Sequence, residues 1–316
     1  MEEFIQQLPK AELHIHIEGS LEPEMLMDFA IQNNIKLKYN SIEEISAKYK
    51  FSNLQEFLDL YYQGMSVLIT ETDFFNLTYH YLEKAHRQNV LHTEIFFDPQ
   101  GHLSRGIKFN VLITGITKAI DHAKSTLGID AKLIMCFLRD LSESEAIKTL
   151  ETALEYREKF IGIGLDSAEI GHPPSKFKNL FNFARGEGLH LVAHAGEEGP
   201  ASYIWEAIDI LGIERIDHGN NAISDPELMR RIAKDKIPLT MCPLSNKCLK
   251  VVPNLQNHQL LKFLDAGILA TINSDDPAYF GGYINENYIA LAKSLNLSLS
   301  VIEQLAKNSM LARFID

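Results

Sequence analysis

Cysteine is scarce in this sequence, with only Cys136, Cys242 and Cys248 among 316 residues, an odd number lying in or beside apolar runs. That excludes a disulfide-stapled scaffold, fits a reducing compartment, and reads all three thiols as structural. Long apolar runs are missing as well: nothing approaches the roughly 18 to 20 residues needed to span a bilayer, so no membrane partner is expected. The opening MEEFIQQLPK carries early acids and no apolar signal-like segment, which predicts a cytoplasmic protein. Clusters of Lys and Arg are also absent. The 30 basic residues are outnumbered by 42 acidic ones, for a net charge of −12. Such a chain repels phosphate backbones and anionic lipid, which argues against nucleic acid and favours a neutral or cationic small molecule. With no low-complexity tract, Pro/Gly/Ser linker or tandem repeat, a single domain over 1–316 is expected.

What is present is a 46% hydrophobic composition, enough for a sizeable core. Short apolar runs at 11–17, 90–97, 132–138, 160–166, 189–195, 215–218, 238–242 and 269–273 read as buried strands. Between them, segments 22–33, 71–88, 113–127, 143–159, 175–187, 201–211, 225–234 and 257–266 carry helical periodicity. Strand then helix, eight times over, predicts an α/β (β/α)8 TIM barrel. The first crossover, 18–90, is much longer than the rest and includes a helical stretch at 54–64. It predicts a helical insertion over the mouth of the barrel, and 299–314 reads as a closing amphipathic helix.

His14-Ile15-His16 ends the first predicted strand. Residues i and i+2 of a strand share a face, so the two imidazoles point together into the barrel. Later strand ends add His194 in VAHAGEEG, His218 in IDHG and Asp275-Asp276 in INSDDPAYF, and the C-terminal ends of barrel strands converge on one mouth. Imidazoles and a carboxylate around an open position are what a catalytic zinc needs; His14, His16, His194 and Asp275 would supply them. His16-Ile17-Glu18 also matches the H-x-E of cytidine-type deaminases, but Cys242 and Cys248 stand five residues apart and do not form the P-C-x-x-C those sites require.

Together LPKAELHIHIEGSL, HAGEE, RIDHG, CPLSN and NSDDPAYF, running from Leu8 to about Tyr283, resemble the adenosine/adenine deaminase family of the amidohydrolase superfamily. The resemblance implies a (β/α)8 barrel holding one zinc ion per chain on His14, His16, His194 and Asp275. It makes Glu197 the acid that protonates the purine at N1, His218 the residue that orients or deprotonates the attacking water, and Asp276 a hydrogen-bond partner near N7. Aromatic C6 is a poor electrophile until N1 gains a proton, so Glu197 must be held protonated when substrate binds.

Two departures bear on the substrate. Glu18 stands where adenosine deaminases carry aspartate near the ribose, and Glu169 lies in GLDSAEIGHPPSKF where they carry glycine at the purine edge. Free adenine has an N9–H donor that adenosine lacks. Glu18 or Glu169 is therefore expected at the purine, accepting that hydrogen and excluding the sugar; adenine is the expected substrate. Adenosine or an N6-substituted purine, attacked by the same machinery, remains an alternative, as does an amide or ester. A non-catalytic metal-binding barrel is a further alternative, against which intact Glu197 and His218 argue. Gly281-Gly282 could cradle a phosphate, but with no basic cluster beside it a tight-loop role is favoured.

Overall fold

In the computed structural model, which describes residues 1–315, every expected strand forms. They are β1 (Lys10–His16), β2 (Val90–Phe97), β3 (Asp130–Leu138), β4 (Gly162–Asp166), β5 (His190–Ala195), β6 (Arg215–His218), β7 (Leu239–Met241) and β8 (Ala270–Ile272). They pair in parallel and in chain order. Strands β1, β4, β6, β7 and β8 are buried along their whole length. Burial on both faces is what the unbroken apolar runs announce, because helices cover the outside and side chains fill the inside.

The ring closes in an unusual place. Strand β8 is only three residues long, and its join to β1 is made beyond it: the His16 N–H donates to the Asp275 carbonyl at 3.0 Å and the Asp275 N–H donates to the His14 carbonyl at 3.0 Å. The Asn273 Oδ1 takes the Leu13 N–H at 2.8 Å. The helix Leu299–Leu311 seals the same seam, with Ser309 accepting from the Ala11 N–H and Asn308 donating to the Ala270 carbonyl, both at 2.9 Å. Strand edges that would otherwise be bare are thus satisfied by side chains. The closure also locks Asp275 between His14 and His16 through main-chain bonds.

Several expected helices prove segmented. The 143–159 stretch is α-helical over Glu143–Ala153 and then tightens into a 3-10 turn, Leu154–Lys159, kinked at Tyr156. The 201–211 stretch passes from Ala201–Glu206 into a π turn, Ala207–Leu211. Helical periodicity marks the buried face but not the hydrogen-bond pitch, so it misses such switches. The helix Ile284–Leu295 was not foreseen.

The insertion between β1 and β2 includes the helix Leu54–Gly64, started by Asn53, whose side chain accepts the Glu56 N–H at 3.0 Å. Its apolar face (Leu54, Phe57, Leu58, Tyr61) packs with Tyr279 and Phe280 as a cluster separate from the barrel core. This roof covers the C-terminal ends of the strands.

Candidate active site

Five ionisable side chains meet beneath that roof. His14 and His16 come from alternate positions at the end of β1, His194 from β5, His218 from the last position of β6, and Asp275 from just after β8. The backbone is strained here: His218 and Asp275 take φ of 65° and 66°, and neighbouring Ser167 takes 70°. Left-handed conformations of non-glycine residues cost energy and persist only where packing imposes them, characteristically at functional sites.

Ligand atoms of His14, His194, His218 and Asp275 all lie within 4.8 Å of one another. His16 stands against the same group, its Nε2 3.2 Å from His194 Nε2 and 3.6 Å from Asp275 Oδ1. The hydrogen bonds behind the rings show which nitrogens face inward as lone pairs. His194 Nδ1 meets the Leu165 carbonyl at 3.1 Å and therefore carries the proton. His14 Nδ1 meets the Thr240 hydroxyl at 2.9 Å, whose own hydrogen goes to Asp217 at 2.8 Å, so His14 Nδ1 is also the donor. His16 Nδ1 faces Asp166 at 3.6 Å. The Nε2 atoms of His14 and His194 are then unprotonated lone pairs, that of His14 buried with no hydrogen-bond partner. His16 Nε2 converges on His194 Nε2 at 3.2 Å, close enough for one cation to take both. Burial pushes the His16 and His218 imidazoles down to about 3 and His194 well below its ordinary value, the neutral state that metal ligation requires. The donor set fits a divalent metal ion, and Thr240, Asp217 and the Leu165 carbonyl set its rings from behind.

Glu197 sits beside this centre, Oε1 3.7 Å from His218 Nε2 and without a hydrogen-bond partner. Burial first, then the negative charges of Asp275, Glu169 and Glu198, raise its carboxyl well above the usual range, with Arg139 pulling the other way. Asp276 is likewise raised, by burial and by Asp275 and Asp98; its Oδ1 is unpartnered. Both line a cleft that His16, His194, His218 and Asp275 also reach.

The two acids expected at the purine do not line this cavity. Glu169 instead receives four consecutive backbone N–H groups, from Gly196 at 2.6 Å, Glu197 at 3.0 Å, Glu198 at 2.9 Å and Gly199 at 2.8 Å. One carboxylate thus folds the whole HAGEEG turn and aims Glu197. The turn also needs glycine, since a Cβ at Gly199 would lie 2.5 Å from Glu169 Oε1. Glu18 uses Oε1 to accept from the Asp98 N–H at 3.1 Å and to meet His102 Nε2 at 2.9 Å, while its Oε2 is buried without a partner. Neither acid lines the cleft, so the structure does not bring them to the residues that do. Replacing Glu169 with alanine would orphan three buried donors and one partly buried one, at a cost of about 3 kcal/mol or more. We expect a lower melting temperature and a kcat reduced by roughly 10²-fold through misplacement of Glu197; calorimetry and an ammonia assay check both.

The acids that do reach the cavity are Asp98, just beyond β2, and Asp166, the last residue of β4, with Tyr61, Tyr62 and Ser167 beside them. Sequence reasoning passed over them. The available signal was position: FFDPQ and GLDS each set an acid at the C-terminal end of a strand, where a barrel places its chemistry.

A closed parallel (β/α)8 barrel with an inward-facing His/Asp cluster and a buried carboxyl of raised pKa at its mouth defines an amidohydrolase of the metal-using class. Within that class, the chain belongs to the adenosine deaminase family, whose sequence model matches residues 9–316. An adenine deaminase of Zymomonas mobilis is 56% identical over 312 residues, covering 99% of this chain and 93% of that protein. The crystal structure of an adenine deaminase from Arthrobacter aurescens superposes with a TM-score of 0.96 at 47% identity, covering 98% of this chain and 94% of that one. An amidohydrolase from Burkholderia ambifaria, solved with bound Zn, superposes at 0.92 with 26% identity, covering 100% and 88%.

Proposed function

We propose that this chain is an adenine deaminase, a single-domain enzyme of purine salvage that hydrolyses adenine to hypoxanthine and ammonia. The observation that carries the reading is Glu197, a buried, unpartnered carboxyl kept protonated within 3.7 Å of His218 at the edge of the cation centre. The naming of full-length relatives as adenine deaminases supports the choice of purine.

His14, His16, His194 and Asp275 would hold one zinc ion, His16 Nε2 standing 3.2 Å from His194 Nε2 and 3.6 Å from Asp275; His218 Nε2 stands between Asp275 at 3.8 Å and Glu197 at 3.7 Å. Zinc would lower the pKa of the attacking water and stabilise oxygen charge developing at C6. Glu197 donates its proton to N1, which makes C6 electrophilic. His218 takes a proton from the water as its oxygen adds to C6, then passes that proton to the amino group, which leaves as ammonia. The remaining hydroxyl proton returns to Glu197 as the C6 carbonyl forms, restoring the acid. Asp276, protonated, donates to N7, which is an acceptor in adenine.

The three free thiols, two of them buried, fit a cytoplasmic enzyme, and among the described residues no helix is long and apolar enough to cross a membrane. The test is ammonia release and ultraviolet change with adenine and adenosine side by side. Adenine turnover with adenosine at least about 10²-fold poorer is expected; turnover of adenosine alone overturns the substrate assignment.

A further inference from the structure

Glu169 is bound by four backbone N–H groups and Glu18 lies off the cavity lining, whereas two other buried carboxyls face the cavity without an assigned role. Asp98 is 2% exposed and Asp166 3%. Each keeps one oxygen, Oδ1, buried and without a hydrogen-bond partner, on a side chain that lines the cavity. Their other contacts hold them in place. Asp98 has its N–H bound by Glu18 at 3.1 Å and its Oδ2 accepting from the Tyr61 hydroxyl at 3.4 Å. Asp166 lies 3.6 Å from His16 Nδ1 through Oδ2. Beside them, Ser167 accepts the Tyr62 hydroxyl at 2.9 Å, which leaves its own hydroxyl hydrogen free to donate.

The barrel order fixes which part of a purine these groups see. With N1 at Glu197 after β5 and N7 at Asp276 after β8, the C6 amino group lies toward the β6 side, at His218. The N3–C4–N9 edge is then turned to the sector between β2 and β4, where Asp98, Asp166 and Ser167 stand. We propose that the Asp98–Asp166 carboxyl pair is the free-base recognition subsite, accepting the N9–H of an unsubstituted purine and excluding any purine carrying a substituent at N9, while Ser167 donates to N3. A 9-substituted purine has no hydrogen to offer there, and its substituent would press on two desolvated acids that it cannot satisfy. Such unpaired buried groups are what makes discrimination strong. This inference rests on the adenine reading and deepens it.

The test compares kcat/KM for adenine and 9-methyladenine in the wild-type enzyme, Asp98→Ala and Asp98→Asn, and measures affinity for hypoxanthine and 9-methylhypoxanthine by calorimetry, which needs no turnover. In Asp98→Ala the preference for the N9–H compounds is expected to shrink by about ten- to a hundredfold, through KM for adenine and with the 9-methyl compounds unchanged or improved. The isosteric asparagine variant, which keeps the shape if alanine does not fold, should shrink it less. An equal loss for both members of each pair, or an unchanged ratio in both variants, overturns the subsite. So does a second equivalent of bound zinc that disappears in the Asp98 variants, because His16, Asp98 and Asp166 would then be cation ligands. Adenine turnover by the wild type with an unchanged ratio sinks the subsite alone; a wild type that neither turns over adenine nor binds hypoxanthine sinks the adenine reading with it.

Discussion

Glutamine at position 197 is expected to lower kcat for adenine by roughly 10³-fold, the middle of the range for loss of a general acid, while hypoxanthine still binds. The amide keeps the size and the hydrogen-bonding capacity of the side chain but has no acidic proton to place on N1. C6 then stays a weak electrophile however well the water is activated. The effect should fall on kcat rather than KM, because protonation develops in the transition state. Thermal stability should change little, since glutamine replaces a neutral carboxyl with a neutral side chain of the same size at the same buried position. A variant that retains more than about a tenth of wild-type kcat would remove Glu197 from the acid role.

Removal of the metal is expected to have an effect at least as large. Lewis-acid stabilisation is worth several kcal/mol, on the order of 10³-fold or more in rate, so chelation should bring turnover to background and added zinc should restore it. The same experiment reads on stability. Without a cation, His14 Nε2 is left buried and unpartnered beside the converging ring nitrogens of His16 and His194. The chelated protein should therefore melt at a lower temperature, by an amount that grows with metal affinity. Mass spectrometry of the native protein should find one metal per chain. Asp275→Ala should lose both the metal and the activity, because Asp275 lies within reach of His14, His16 and His218 alike. Full turnover by metal-free protein would overturn the centre.

Local patterns reached far into this protein. Eight apolar runs in alternation with helical periodicity specified the barrel, because a parallel strand must be apolar on both faces and a covering helix on one. H-x-H at a strand end specified two convergent imidazoles, because alternate strand residues share a face. Histidines and acids at later strand ends specified one site, because a barrel gathers those ends at a single mouth. All of these are properties of a few consecutive residues.

The roles of the other acids belong to long-range pairing. Glu169 looked like a purine contact because it lies near a strand end, but the turn from a different crossover, 27 to 30 residues on, brings four N–H groups to it. Glu18 is drawn off by the Asp98 backbone, 80 residues away, and by His102, 84 residues away. Asp98, Asp166 and Glu18 each keep one buried oxygen unpartnered, but only the first two lie on the cavity lining. A carboxylate faces a ligand only if the rest of the fold leaves it unsatisfied. The sequence by itself determined the barrel and the convergence of its histidines and acids on one mouth, because those follow from a few consecutive residues; only the tertiary structure decided which of the remaining carboxylates are bound by backbone donors and which line the cleft, because their partners come from distant segments.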